Sequence, residues 1–200
     1  MENEIFTFYR NALMGTNMIE PLCEEYKTKW KLCHDNKEEL IRLSLNQQSI
    51  PYFASMCYLG RGVSKGYLLA EYGHLINGVD ILDADGVKGY KYGLFVDYNE
   101  EKPIIADKDV IHVMWTNGAE IVIPKTKCPT IYLSNESNVK IVCDGYNMPR
   151  IYLFDKSAVE INDADEHTKV TAYKYNEGCN VTRGRYCFGE VKEFSKELRI

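Results

Sequence analysis

The sequence predicts an α+β protein: an N-terminal helical head, then a short parallel β-helix (β-solenoid) with two-strand coils of about 20 residues and a C-terminal cap. Three observations support this prediction. Isoleucine recurs at every tenth position from Ile111 to Ile161, alternate tens differ in kind, and apolar residues before Gly78 have helical spacing. The predicted head, mainly helical with a short strand region at about 80–109, covers residues 1–109, and the solenoid with its cap covers residues 110–200.

Apolar spacing and capping signals predict four helices in the head. Apolar residues at three- and four-residue steps predict a first helix over about 20–33. Asn36 and Glu39 have the spacing of a capping box and open a second helix. Pro51 suits the first turn of a third helix, and Ser64 is placed to cap a fourth.

Isoleucine forms the clearest column of the repeat: Ile111, Ile121, Ile131, Ile141, Ile151 and Ile161. The motif at 129–133 returns at 149–153, and the motif at 138–143 returns at 158–163, so the full unit is 20 residues. Within each ten, alternate positions are apolar, as in a half-buried strand. An antiparallel meander has no reason to keep residue types in register every 20 residues, so stacked parallel coils are favoured.

The repeat weakens near its C-terminal end. Asp163 and Lys169 fall in columns that should be apolar, whereas Val170 and Ala172 restore the alternation one position later. We therefore predict a one-residue slip near 166–167. The last residues of the chain are expected to cover the final coil, because an uncovered end exposes unpaired strand edges.

Composition and charge argue against several classes of protein. With 45% hydrophobic residues the chain can bury a core, and a net charge of −5 is unlike that of a dedicated nucleic-acid binder. No stretch approaches the ~20 apolar residues of a membrane span, and the N-terminus lacks the apolar run of a signal peptide. We expect a protein that is kept in a cytoplasm, with neither membrane nor nucleic-acid partners.

The sequence carries no recognisable metal, cofactor or catalytic motif. Its seven cysteines are odd in number and none are spaced as C-x-x-C, so neither a disulfide framework nor a zinc site is predicted. Nucleophile-elbow, zinc-protease, phosphate-loop and dinucleotide motifs are missing. Asp163, Asp165, Glu166 and His167 form a local cluster at the predicted slip, where a solvated loop is the simpler interpretation. A β-helix carbohydrate-active enzyme, the enzymatic alternative, would place its chemistry there.

Outward positions on one long side supply the candidate binding residues, which we call the Tyr–Arg strip. Tyr132 and Tyr152 fall in one column with His112, and Arg150 lies in the neighbouring column. Aromatic rings beside an arginine make a flat, amphipathic surface suited to a protein or glycan partner. Tyrosine also suits strand surfaces for its own sake, and the strip could instead lie under the head, so both of these alternatives stay open.

The organisation of the chain resembles that of uncharacterised proteins encoded by phages and mobile elements of gut bacteria. The resemblance rests on YKTKW at 26–30, EELIRLSL at 38–45 and INGV at 76–79, followed by tens of the Val-x-Ile-x-(Ala/Leu) kind. The resemblance implies a phage or prophage accessory protein that is associated with the virion or lies in the host-cell cytoplasm, and no functional residues are attached to it.

A regular scaffold without catalytic motifs favours a non-enzymatic interaction module that binds a host or virion partner through the solenoid face. A second hypothesis is an anti-defence protein that sequesters a small nucleotide signal, and it predicts a pocket between the head and the solenoid. The sequence leaves open whether the chain forms homo-oligomers.

Overall fold

The structure, a computed structural model, describes residues 24–33, 36–47, 49–163, 168–184 and 188–193. Within these ranges the helices are α1 (Glu24–Cys33), α2 (Lys37–Ser44), α3 (Ile50–Tyr58) and α4 (Lys65–Tyr72), with a 3-10 turn at Gly73–Leu75. The strands are β1 (Ile81–Leu82), β2 (Lys91–Val96), β3 (Ile104–Ile105), β4 (Val110–Met114), β5 (Asn117–Ile123), β6 (Thr130–Ser134), β7 (Asn138–Cys143), β8 (Arg150–Leu153), β9 (Ala158–Asp163), β10 (Lys169–Lys174), β11 (Asn180–Arg183) and β12 (Phe188–Glu193). In the part of the chain so described, no helix is long and apolar enough to cross a membrane.

The strands form the two long sides of a parallel β-solenoid of about five turns. One sheet has seven strands in the order β1-β2-β4-β6-β8-β10-β12, and the other has five in the order β11-β9-β7-β5-β3. Apart from the short antiparallel β1, each of these strands runs parallel to its neighbours. The chain alternates between the sheets, which confirms the predicted solenoid. The cap over the last coil was expected from residues 186–188 and 191–200. Residues 188–193 form β12, a further strand parallel to β10, and the others of the expected cap lie outside the described residues.

The isoleucine columns occupy the interior of the solenoid. Ile111 pairs with Ile131 and Ile131 with Ile151 in the seven-stranded sheet, an offset of 20 residues at each step. Ile121, Ile141 and Ile161 pair in the same way in the five-stranded sheet, and all six side chains are fully buried. Each buried isoleucine contributes roughly 1.5–3 kcal/mol of hydrophobic free energy, so the 20-residue spacing follows from burial of these columns.

The parallel ladder begins before residue 110, because β2 pairs with β4 and β3 with β5. In this first coil Gly93 takes the place of the isoleucine and pairs with Ile111. A side-chain carbon on Gly93 would lie 2.6 Å from Cδ of Lys108, so the glycine leaves room for the lysine stem. Lys108 is 6% exposed, and its Nζ lies 2.9 Å from Oδ1 of Asp80. The stem therefore closes this end of the core while its charge is paired.

The predicted one-residue slip is confirmed between β8 and β10. Arg150 pairs with Thr171 and Ile151 with Ala172, an offset of 21 residues. Ala172 is accordingly buried and Lys169 is exposed. The position predicted for the extra residue, near 166–167, lies outside the described residues. As a consequence of the slip, Tyr173 faces outward beside Tyr152.

The helices pack against the outer face of the first strands of the seven-stranded sheet. Phe53 of α3 and Leu68 of α4 belong to one buried cluster with Leu94, Met114 and Tyr132 of β2, β4 and β6. Both faces of these strands are therefore covered, one by the solenoid interior and the other by the head. The head lies along the side of the first coils.

Side-chain caps begin two of the helices. The Asn36 side chain accepts a hydrogen bond from the Glu39 backbone N–H at 3.1 Å at the start of α2. The Ser64 hydroxyl accepts one from the Tyr67 backbone N–H, also at 3.1 Å, at the start of α4. Each cap satisfies an otherwise unpaired N–H of the first helical turn.

Candidate binding site

Three tyrosines stack in a column across the outer face of the seven-stranded sheet. Tyr132 and Tyr152 have ring centroids 4.9 Å apart with planes at 15°, and Tyr152 and Tyr173 have centroids 4.7 Å apart with planes at 9°. These separations match the spacing of about 4.8 Å between neighbouring strands, so the coil geometry itself produces the stack. We call Tyr132, Tyr152 and Tyr173 the tyrosine ladder.

A second pair of rings lies beside the ladder. Phe154 and Tyr175 stack with centroids 4.5 Å apart, and Tyr175 lies 6.2 Å from the Tyr152 ring. Phe154 is buried against the head, whereas Tyr175 is only partly buried. The aromatic surface thus continues from the covered coils onto the open ones.

The predicted site residues are divided by the edge of the head. His112 is fully buried and Tyr132 is 5% exposed, because α3 lies over them; the Phe53 ring meets the His112 ring edge-on at a centroid distance of 6.3 Å. Tyr152 is half-buried and Arg150 is exposed. Only the second half of the Tyr–Arg strip is therefore open to a partner.

His112 takes part in a buried chain of hydrogen bonds. Its Nε2 lies 2.8 Å from the Ser134 hydroxyl, which donates to Oδ1 of Asn135 at 2.7 Å. The Asn135 amide in turn donates to the Ala54 carbonyl of α3 at 3.2 Å. Because the serine proton is directed to Asn135, we assign the imidazole proton to Nε2. Burial lowers the pKa of His112 to about 3, so the ring is neutral.

The same geometry argues against a nucleophile–base pair at His112 and Ser134. Both side chains are fully buried under the head, and the serine proton points away from the imidazole. A general base must be within reach of a proton on its substrate. We therefore assign this pair a structural role in joining the head to the solenoid.

Asp155 makes a second polar contact between α3 and the solenoid. One carboxylate oxygen accepts a hydrogen bond from the Ser55 hydroxyl at 3.4 Å, and the other has no partner among the described residues. Burial raises the pKa of Asp155 to about 6, while bonds from the Asn135 backbone N–H and from Ser55 act in the opposite direction. The carboxyl is thus held where its charged form is disfavoured.

Arg150 stands in the outward column next to the ladder, between Thr130 and Thr171 on the neighbouring strands. Its guanidinium forms no ion pair or side-chain hydrogen bond with a described residue. Burial raises the pKa of Tyr152, and the positive charge of Arg150 counteracts that rise without cancelling it. A cation beside half-buried rings is an arrangement common at binding surfaces.

A cleft of about 540 Å³, which we call the Arg150 cleft, lies at the N-terminal ends of β4, β6, β8 and β10. Gln47, from the turn after α2, lines it on the side of the head. The solenoid and the loops before its strands provide the rest of the lining: Tyr90, Asp109, Val110, Cys128, Thr130, Met148, Arg150, Lys169 and Thr171. The cleft therefore lies where the turn after α2 meets the solenoid.

Among the described residues that line the cleft, the charged ones are two cations and one carboxylate. Arg150 and Lys169 lie diagonally on adjacent parallel strands, so strand spacing and rise place their Cα atoms about 8 Å apart. Lys169 is exposed and, like Arg150, forms no ion pair with a described residue. Asp109 accepts a hydrogen bond from the Lys91 backbone N–H at 2.8 Å through Oδ2. The described lining of the cleft thus carries one more positive than negative charge.

Asp85 has structural partners on both sides. Asp85 accepts hydrogen bonds from Tyr92 at 2.7 Å and from the Gln47 backbone at 3.0 Å, which ties the end of α2 to β2. Among the described residues, no three His, Cys, Asp or Glu side chains are placed to hold a metal ion. Of the cluster predicted at 163–167, residues 164–167 lie outside the described residues.

Sequence reasoning missed three residues of this surface: Tyr173, Lys169 and Gln47. The strict repeat of 20 places Tyr173 and Lys169 in inward columns, and only the one-residue slip turns both outward. The signal that could have identified both residues is the alternation of Val170 and Ala172, which are the buried residues of β10. Gln47 carries no such signal, because its place depends on how the head packs.

No protein-family model, curated protein or solved structure matches this chain.

Proposed function

We propose that the chain is a non-enzymatic interaction module, a phage or prophage accessory protein that binds a host or virion protein through the open half of the Tyr–Arg strip. The observation that carries this proposal is the stack of half-buried rings, Tyr152 and Tyr173, beside an Arg150 guanidinium that no described residue pairs. Tyrosine and arginine are enriched among the residues that dominate binding energy at interfaces.

The ladder is well suited to binding because it is held rigid before a partner arrives. Each ring is fixed by its neighbours at 4.7–4.9 Å, and the strands below are paired on both sides. Binding therefore costs little side-chain entropy at these positions. The exposed Arg150 adds a preference for a partner that presents a carboxylate next to an apolar group.

The orientation of the rings favours a protein over a glycan. Sugars pack on the faces of aromatic rings, but in the ladder Tyr152 has Tyr132 on one face and Tyr173 on the other. Lys192 lies over the Tyr173 ring at 5.8 Å from its centroid. Ring edges and hydroxyls thus face outward, which suits the mixed apolar and polar contacts of a protein interface.

Site-directed photo-cross-linking in the native host tests this proposal. A benzophenone amino acid at position 173 should give a discrete adduct with one protein, and Arg150→Glu in the same chain should abolish it. The matched control carries the cross-linker at position 140, an exposed site on the five-stranded sheet. An adduct that forms equally from position 140, or that survives Arg150→Glu, would contradict the proposal.

A further inference from the structure

We propose that the Arg150 cleft is a site for a small phosphate ester that carries a planar ring, a ligand of the nucleotide class, and that this site shares Arg150 with the proposed protein-binding surface. This inference does not depend on a protein partner at the ladder. It is carried by the position of two cations without described ion-pair partners, two hydroxyls and two exposed apolar side chains around one cleft between head and solenoid.

The cation pair defines the phosphate subsite. With Cα atoms about 8 Å apart on adjacent strands, the long side chains of Arg150 and Lys169 can converge on one group between them. Arginine binds phosphate through two parallel N–H donors, and lysine adds a point charge. Neither cation has an ion-pair partner among the described residues. Phosphate binding therefore breaks no ion pair between a cation of the cleft and a described carboxylate.

Hydroxyl groups extend this subsite along the floor of the cleft. Thr130 and Thr171 flank Arg150 on the two neighbouring strands, and both side chains are partly exposed. Neither hydroxyl forms a hydrogen bond with a described residue, so both can donate to phosphate oxygens. The negative charge of Asp109 repels the phosphate and thereby directs it towards the Lys169 end of the cleft.

The planar ring is assigned to the apolar residues of the lining. Tyr90 is 43% exposed and Met148 is 62% exposed, which is unusual for large apolar side chains at a defined cleft. A tyrosine face offers stacking to a nucleobase, and methionine adapts its shape to flat groups. The volume of about 540 Å³ is in the range of roughly 300–1,000 Å³ that is typical of small-molecule sites.

Calorimetric titration with a panel of probes tests the inference: AMP, GMP, CMP and UMP, inorganic phosphate, and adenosine. At least one nucleotide should bind with a Kd below about 1 mM, more tightly than phosphate or adenosine by about tenfold or more. No binding by any nucleotide overturns the inference. If inorganic phosphate binds as tightly as the best nucleotide, the ring subsite is overturned. If adenosine binds as tightly as the best nucleotide, the phosphate subsite is overturned.

Matched charge removals locate the binding. Lys169→Gln should weaken nucleotide binding about tenfold, whereas Lys140→Gln, which removes the same charge from the opposite sheet, should leave it unchanged. Equal effects of the two variants would mean nonspecific attraction and would overturn the site. Unchanged thermal melting of both variants shows that folding is not involved.

Two further measurements separate this inference from the proposed function. Cys128 is exposed in the cleft, so bound nucleotide should slow its alkylation by iodoacetamide, as followed by mass spectrometry of the peptide; undiminished alkylation at saturating nucleotide places the ligand elsewhere. Tyr173→Ala should leave nucleotide affinity unchanged, and Lys169→Gln should leave the adduct at position 173 unchanged. Either site can thus fail while the other stands.

Discussion

Asn135 and Asp155 occupy equivalent corners of successive coils, and both contact α3. Each follows a strand of the seven-stranded sheet and has a left-handed backbone, with φ of 55° and 53°. Asn135 donates to the Ala54 carbonyl, whereas Asp155 accepts from the hydroxyl of the next helix residue, Ser55. Asparagine and aspartate tolerate this backbone better than most residues, so the corners that turn the chain also hold the head.

Asp155→Asn should stabilise the protein near neutral pH. Burial raises the pKa of Asp155 in the folded state to about 6, above the ~3.9 expected when unfolded. The folded chain therefore holds a proton that the unfolded chain has lost, and stability falls as pH rises from about 4 to 6. Removing the charge should raise the free energy of unfolding by about 1–3 kcal/mol at pH 7.5 and by little at pH 4. Urea unfolding at the two pH values measures this, with the exposed Asp144→Asn as control; equal gains at both pH values would refute it.

His112 and Asp155 should cancel each other's pH dependence between about pH 4 and 6. Burial lowers the pKa of His112 to about 3 in the folded state. Between pH 4 and 6 the imidazole therefore binds more protons in the unfolded chain than in the folded chain, and this residue makes stability rise with pH. In Asp155→Asn this rise should appear, with a slope of up to about 1.4 kcal/mol per pH unit. In His112→Gln the opposite slope, due to Asp155, should appear. Unfolding curves at half-unit steps of pH check both, and parallel profiles for the two variants would disprove the cancellation.

The two ends of the tyrosine ladder should respond differently to truncation. Tyr132 is 5% exposed and lies under the head, so Tyr132→Ala should lower the free energy of unfolding by about 3–5 kcal/mol. Tyr173 is partly exposed, and Tyr173→Ala should cost about 1 kcal/mol or less. Chemical denaturation of both variants gives the comparison. Similar losses at the two positions would show that the head does not cover the first half of the ladder.

Gly93 and Lys108 should be energetically coupled. An alanine methyl group at position 93 would lie 2.6 Å from Cδ of Lys108, whose ammonium is held by Asp80. Gly93→Ala alone should therefore destabilise by about 1–3 kcal/mol, through displacement of the lysine stem. In Lys108→Ala the same substitution should cost about 1 kcal/mol less. A double-mutant cycle by urea unfolding measures the coupling, and additive effects would mean that the stem does not fill this space.

The solenoid was predictable because its core repeats in sequence. The 20-residue spacing of Ile111, Ile131 and Ile151 predicts that they stack in one buried column. The alternation of apolar residues likewise predicts the slip before Ala172. The cover over His112 was not predictable, since an outward residue under another element looks the same in sequence as one facing solvent. Its neighbours Ser134 and Phe53 lie 22 and 59 positions away, and no repeat relates the head to the coils.

The equal steps of the coils have a consequence for how the head finds its place. Because neighbouring strands repeat every ~4.8 Å, the backbone of successive coils offers α3 similar positions one coil apart. Moved one step towards the C-terminus, the Ala54 carbonyl would face the Asp155 carboxylate, acceptor against acceptor. Moved one step back, it would face the large indole of Trp115 in place of the compact Asn135 amide. Hydrophobic contact alone would not fix the position of the head along the solenoid. The amide of Asn135 followed by the carboxylate of Asp155, at equivalent corners of two coils, matches α3 in one position only.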